Sequence, residues 1–390
     1  MTGQVGHMVP ERLNFTLRGG GPLWRGFTRM RVVKPEHRLR GAAIVFVVFG
    51  LLPVVLLGLH SFGKTGVLPP LLGDISLYAR FLLAVPILLV AESVLDERCT
   101  RALNRFVAGK FYETDECADR VQEIARRAEK LRDSTAIEVV LLIISFGGAQ
   151  LALFGQGVLD GQGKAGPAEL YYALVALPMY QLIVWRWLFR WFVWCSVLWR
   201  LARLPLRPLA AHPDRTGGLS FVSEPTVAYA LFVCASSVVV SATWATHLLA
   251  EQGDFASYKK MFALFVVLAM TLGFAPMLLF VPHLDRARFD GVRDYGELAN
   301  DPSRQFYRRW IIGTEGEISP LGAPDMSSWI DLGTAYGELM RTRLVPFGPR
   351  FVIVVFAAAA LPMVPLILTQ VPFMVLLGRL GKAMLGGLPG

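Results

Sequence analysis

Seven long stretches of this chain carry almost no charge: Ala42–Leu59, Leu77–Leu95, Ala136–Phe154, Leu170–Phe189, Thr226–Leu248, Phe262–Val281 and Phe351–Leu368. About twenty apolar residues suffice for a helix to cross the ~30 Å hydrocarbon core of a bilayer. In hydrocarbon every backbone N–H and C=O must be paired within the segment, so runs of this kind fold as helices. The expected fold is therefore all-α: a polytopic transmembrane helical bundle of about seven spans with a small helical cytoplasmic layer. Composition agrees, since 54% of residues are apolar and only 18% charged, against about a quarter charged in a soluble domain. A further apolar segment, Val371–Leu385, contains Arg379 and Lys382 and reads either as an interfacial helix or as a half-span.

The net charge of +9 would suggest nucleic acid in a soluble protein. Here position matters more than the sum. The loops 61–75, 157–168 and 249–260 hold four Lys/Arg, whereas segments 1–40, 97–136, 191–225 and 284–350 hold thirty. This asymmetry predicts a bacterial inner-membrane protein with a cytoplasmic N-terminus. No nucleic-acid partner is expected. The partners expected are the bilayer and its anionic lipids, with a homo-oligomer as a further possibility. The first apolar run follows a long polar arm with no small-residue cleavage site, so no cleavable signal peptide is expected. Cys99, Cys117, Cys195 and Cys234 show no CxxC spacing and fall in no outer loop, so neither disulfides nor a cysteine zinc site is expected.

The polar segments divide the chain. Residues 1–40 form a basic arm ahead of the first two spans (41–96). Residues 97–135 read as cytoplasmic amphipathic helices, in which Val121, Ile124, Ala125, Ala128 and Leu131 make one apolar stripe. Span ends or a second subunit would cover it. Residues 136–283 hold four spans. In their middle Trp185, Trp187, Trp191, Trp194 and Trp199 interleave with Arg186, Arg190, Arg200, Arg203 and Arg207. Tryptophan favours the headgroup zone and arginine there meets phosphate, so this run is expected to bend along the inner interface. Pro205 and Pro208 stop the helix, and Ser223 and Pro225 stand where a cap and first-turn proline belong. Residues 284–350 are a cytoplasmic helical segment. Asn300-Asp301-Pro302 and the Gly/Pro-rich run 313–324 are expected to break it before a helix capped by Asp325. Residues 351–390 carry the last span and the apolar tail.

The most turn-specific polar sequence is His212-Pro213-Asp214-Arg215-Thr216-Gly217-Gly218-Leu219. Gly217 and Gly218 allow φ > 0, so successive N–H groups can converge on an anion. Arg215, with Arg203 and Arg207 nearby in sequence, adds positive charge. The loop reads as a tight interfacial turn or as an anion or lipid-headgroup site built from Arg203, Arg207, His212, Asp214, Arg215, Gly217 and Gly218. His283-Leu284-Asp285-Arg286 echoes its His-x-Asp-Arg pattern. His212, Asp214, His283 and Asp285 are thus weak candidates for a divalent cation, and no metal or cofactor is expected.

Polar residues inside the spans form a second set: Arg80, Glu92, Gln150, Gln181 and Arg186. Arg80 and Glu92 lie one turn from a boundary and can snorkel or pair with other helices. The spans hold no Asp, which counts against proton- or sodium-coupled transport. Walker, His-Glu-x-x-His, Gly-x-Ser-x-Gly and aspartate-rich transferase motifs are missing. His-Pro-Asp also marks the chaperone J-domain, but there it joins two soluble helices, and here it joins two spans.

Three stretches carry a family resemblance: Arg80-Phe-Leu-Leu-Ala-Val-Pro-Ile-Leu-Leu-Val-Ala-Glu92, the loop His212–Leu219, and Asp325-Met-Ser-Ser-Trp-Ile-Asp331-Leu with Tyr336, Met340-Arg341 and Pro346-Phe347. The chain from about residue 40 onward resembles a family of uncharacterised bacterial multi-pass membrane proteins with a His-Pro-Asp-x-x-Gly-Gly-Leu signature. The resemblance implies the topology and no activity. The expected function is a non-enzymatic conduit or scaffold whose cytoplasmic face binds an anion or anionic lipid. One alternative is a membrane enzyme acting on a lipid or isoprenoid substrate, with His212 and Asp214 as acid/base groups or ligands. A coupled small-molecule transporter is the other.

Overall fold

In the computed structural model, residues 15–17, 41, 44–109, 111, 115–155, 166–249, 255–313 and 324–366 are described. Their regular structure is helical throughout, with no strand among them. Six helices are long and apolar enough to cross a membrane: α1 (Ile44–Thr65), α2 (Ile75–Ala108), α5 (Pro167–Leu201), α6 (Ser220–Leu248), α7 (Tyr258–Ile312) and α9 (Pro349–Leu366). The third of the seven expected spans falls on α4 (Thr135–Gly155). Its fully described apolar part, Thr135–Gly148, is shorter than the six. The polar helices are α3 (Asp115–Arg132) and α8 (Pro324–Met340).

These helices expose apolar side chains on their flanks, among them Leu56, Ile143, Leu264, Val267 and Ile353. In water such faces would be unstable, and in hydrocarbon they cost nothing. The protein is therefore a membrane-embedded helical bundle. What holds the helices to one another is packing and cross-helix hydrogen bonding. Tyr229 on α6 donates to the Ala269 carbonyl of α7 at 2.8 Å, and Ser237 on α6 donates to the Ala359 carbonyl of α9 at 2.6 Å.

The tryptophan run departs from expectation. Trp187, Trp191 and Trp194 are buried in the bundle, and only Trp185 and Trp199 are exposed. Trp187 stacks on Phe232 at 4.2 Å and Trp191 packs on Tyr229 at 4.7 Å. α5 runs unbroken to Leu201, so the residues on its inward stripe are committed to the core. An indole stacked on rings buries more area than one left in a headgroup layer.

At one end, hereafter the polar end, α2 continues past the apolar run to Ala108 and turns into α3. The α3 stripe is covered within the chain: Val121, Ile124, Ala125 and Ala128 are buried in the same core as Val197 and Leu201 of α5. Covering it requires no second subunit. Residues 15–17 of the arm also belong here. Phe15 and Leu17 are buried, Thr16 Oγ1 donates to Asp96 at 2.9 Å, and Thr100 donates to the Phe15 carbonyl at 2.7 Å. The rest of the arm, residues 314–323, and Val371–Leu385 lie outside the described residues.

The expected break at Asn300-Asp301-Pro302 is overturned. α7 runs 55 residues through Pro302. A proline leaves the carbonyl four residues earlier unpaired, which here is that of Leu298, an exposed residue, so water can satisfy it. The helix α8 starts at Pro324 rather than after Asp325. It lies against α7, with Trp329 stacked on Phe306 at 4.6 Å. Ser223 is not an N-cap acceptor; its hydroxyl donates back to the Ser220 carbonyl at 2.7 Å.

Candidate functional site

The loop that follows α5 is built around one carboxylate. Asp214 Oδ1 accepts from the N–H groups of Thr216 (2.8 Å) and Gly218 (3.0 Å). Its Oδ2 accepts from the Thr216 hydroxyl (2.8 Å) and the Ser220 N–H (3.2 Å). His212 Nδ1 stands 2.8 Å from Oδ1 and accepts from the Asp214 N–H at 3.2 Å. Burial by itself would raise the Asp214 pKa. The hydrogen bonds from Thr216, Gly218 and Ser220 outweigh it and hold the carboxyl well below the ordinary carboxylate range. Gly217 and Gly218 take positive φ, at 63° and 85°. The nest of N–H groups expected to receive an external anion thus closes on the chain's own Asp214.

Arg215 also has φ > 0, at 57°, uncommon for a side chain with a Cβ. Its guanidinium pairs with Glu338 of α8 at 2.9 Å, and its carbonyl accepts from the Arg343 N–H at 2.7 Å. Thr342 donates to the Ala210 carbonyl at 2.8 Å, and the Arg207 N–H donates to the Phe111 carbonyl at 2.8 Å. Gly291 of α7 admits this packing. A Cβ there would stand 2.5 Å from that of Ala210 and 2.9 Å from Leu339. The loop is a junction tied to α7, to α8 and to the α2–α3 connection.

Beside this junction lies a cavity of about 1000 Å³ between residues 203–213 and the polar part of α7. Arg203, Arg207, Arg286 and Arg293 line it with His212 and His283. The two acids in the wall, Asp290 and Asp294, both stand against Arg293, at 3.7 and 3.0 Å. Among the described residues the wall thus carries four arginines against two carboxylates. Arg203 lies over the Trp199 ring, 3.6 Å from its centroid. The two His-x-Asp-Arg sequences do meet here, through His212, His283 and Arg286. Their carboxylates do not join them: Asp214 is spent on its nest and Asp285 is exposed outside the wall. Among the described residues no three His, Cys, Asp or Glu side chains come together as metal ligands. The four cysteines are free.

Of the predicted site residues, Arg203, Arg207 and His212 therefore face the cavity, whereas Asp214, Arg215, Gly217 and Gly218 build its supporting junction. Sequence reading missed Arg286 and Arg293 as wall residues. Their signal is the i, i+4, i+7 spacing of Arg286, Asp290 and Arg293, legible only if α7 is known to continue through this region.

The intramembrane set separates by level. Glu92 of α2 pairs with Arg190 of α5, and both are largely buried. Arg186 lies within coulombic reach of Arg190, Glu92 and Glu138, so two arginines and two glutamates from α2, α4 and α5 form a balanced cluster. Arg190 and Glu138 were not singled out as site residues. Arg80 donates to the Tyr172 hydroxyl. Gln150 donates to the Ala173 carbonyl at 3.3 Å. Gln181 Oε1 is buried beside Gly148 with no hydrogen-bond partner among the described residues. Pairing, rather than snorkelling, accounts for Arg80 and Glu92.

Compared with family models, curated proteins and solved structures, the chain matches none.

Proposed function

We propose that this is a multi-pass protein of the bacterial cytoplasmic membrane, with its N-terminus and polar end in the cytosol. It acts as a non-enzymatic conduit or scaffold whose cavity binds a phosphate-type anion. The thirty-to-four distribution of Lys/Arg supports the orientation. One observation carries the binding site: among the described residues, four arginines and two carboxylates line a single cavity of about 1000 Å³, and both carboxylates stand against Arg293. Guanidinium groups recognise phosphate oxygens through paired N–H donors. A lipid headgroup and a free phosphate ester present the same chemistry.

The test is binding of inorganic phosphate, and of anionic lipid, to the detergent-purified protein. Arg286→Gln should weaken both by about tenfold or more, as expected for loss of a charge-assisted hydrogen bond. Phosphate binding that is unchanged by Arg286→Gln and Arg203→Gln would overturn the reading.

A second reading rests on the His212–Asp214 contact at 2.8 Å. A histidine beside a carboxylate at the edge of a cavity is a candidate general base. The enzyme reading requires turnover of a lipid or isoprenoid phosphate that His212→Gln abolishes. The binding reading requires His212→Gln to retain anion affinity.

A further inference from the structure

The cavity does not end at Arg203. Arg203 and Leu204 also line a second concavity, of about 440 Å³, between α3 and the end of α5. Ile124, Arg127 and Arg200 are shared by that concavity and a third, of about 380 Å³, which reaches Ser134. These shared walls set the three side by side as a groove along the last turns of α5. Its floor is apolar, with Leu204, Ile124, Val197 and Leu131. Its rim is mainly basic: Arg120, Arg127, Arg200 and Lys130 stand there with Glu123, which pairs with Arg127 at 2.7 Å. The far end at Ser134 adjoins α4, whose outward side chains Val139, Val140 and Ile143 are apolar and exposed. The groove therefore opens where the chain enters the hydrocarbon.

We propose that cavity and groove are one site for a phosphorylated single-chain amphiphile drawn from the bilayer. This rests on the anion reading above and adds the tail. The phosphate lies between Arg203 and Arg286. The hydrocarbon chain runs over Leu204, Ile124 and Val197 and leaves to the membrane at Ser134. Arginine and lysine stems cover an apolar chain while their heads stay wet, so a basic rim over an apolar floor suits such a ligand along its whole length. A soluble phosphate would use the cavity and leave the groove without an occupant.

The experiment is native mass spectrometry of the full chain in mild detergent, with lysophosphatidic acids of increasing acyl length and inorganic phosphate as competitor. The expected result is tighter binding as the chain lengthens, displacement by phosphate, and loss of both ligands in Arg286→Gln. Ser196→Trp, which fills the groove away from the cavity, should abolish the dependence on chain length while phosphate still binds. Phosphate binding with a flat chain-length series, or lipid that phosphate does not displace, would overturn the amphiphile and leave the anion site standing. Failure of phosphate itself to bind would remove both. The wild-type series decides the matter even if Ser196→Trp does not fold.

Discussion

Arg215 Nε donates to Glu338 Oε2 at 2.9 Å, joining two residues 123 positions apart in the chain. The bond fastens the loop after α5 to the helix that packs along α7. It also pulls Glu338 below the usual carboxylate range, through the hydrogen bond from Arg215. Glu338→Gln should therefore leave the bundle intact and loosen the junction. Faster amide exchange over residues 207–219, with the apolar helices unchanged, is the expected reading. Uniform exchange across the loop in both proteins would show that the pair holds nothing.

The backbone at Arg215 offers a sharper comparison. Left-handed φ costs a residue with a Cβ about 1–2 kcal/mol, and glycine escapes it. Arg215→Ala keeps the φ of 57° and loses the ion pair. Arg215→Gly loses the pair but relieves the strain. Thermal unfolding should rank Arg215→Gly at or above Arg215→Ala, the reverse of the order found where φ is ordinary.

Asp214 should govern the acid response of the junction. Its carboxyl titrates below the unfolded value of about 3.9. Its contribution is thus fully present above that value and is lost as pH falls through the lowered folded pKa. Asp214→Asn removes the charge from four donors and should cost roughly 1.5 kcal/mol or more at neutral pH. The variant should also lose that part of the acid-induced unfolding step that the wild type shows below pH 4. An unchanged acid profile in Asp214→Asn would contradict the hydrogen-bonded carboxylate.

Within the membrane, Glu92 and Arg190 should behave as a buried pair. Removing one partner leaves an uncompensated charge, costing about 3–5 kcal/mol, whereas replacing both by apolar residues is close to neutral. Glu92→Gln should lower the unfolding temperature in detergent markedly. Glu92→Leu combined with Arg190→Leu should recover most of the loss. A double variant worse than the single would mean that Glu138 and Arg186 depend on the pair.

Gly217 is fixed by its surroundings as well as by its φ of 63°. A Cβ there would stand 2.5 Å from that of Pro208. Gly217→Ala should cost about 1–3 kcal/mol through strain and overpacking, and the loss should appear as weaker phosphate binding together with lower stability.

The helices were legible because the signal for them is local. Runs such as Thr226–Leu248 and Phe262–Val281 are apolar in any context, and the α3 stripe repeats at helical spacing wherever it packs. Turn residues are equally local, so Gly217 and Gly218 announced positive φ. What a loop does with its N–H groups is not local. Asp214 and a bound anion satisfy the same nest, and choosing between them depends on where the side chain of Asp214 points. Pro302 misled for a related reason, since a proline breaks a helix only where the freed carbonyl cannot reach another partner.

By itself the sequence determined the solvent of this protein, its helical class, the chain segments that lie at the polar end and the residue types gathered at the loop. Hydrophobic length and charge placement act residue by residue, so no partner need be known. The tertiary structure alone decided that Trp187, Trp191 and Trp194 are core, that Arg190 meets Glu92, that Arg215 is held by Glu338, and that Arg286 and Arg293 stand across a cavity from Arg203 and Arg207. Each of these is a pairing between distant segments. Pairings depend on which helix faces meet, and that is set by the packing of the whole bundle.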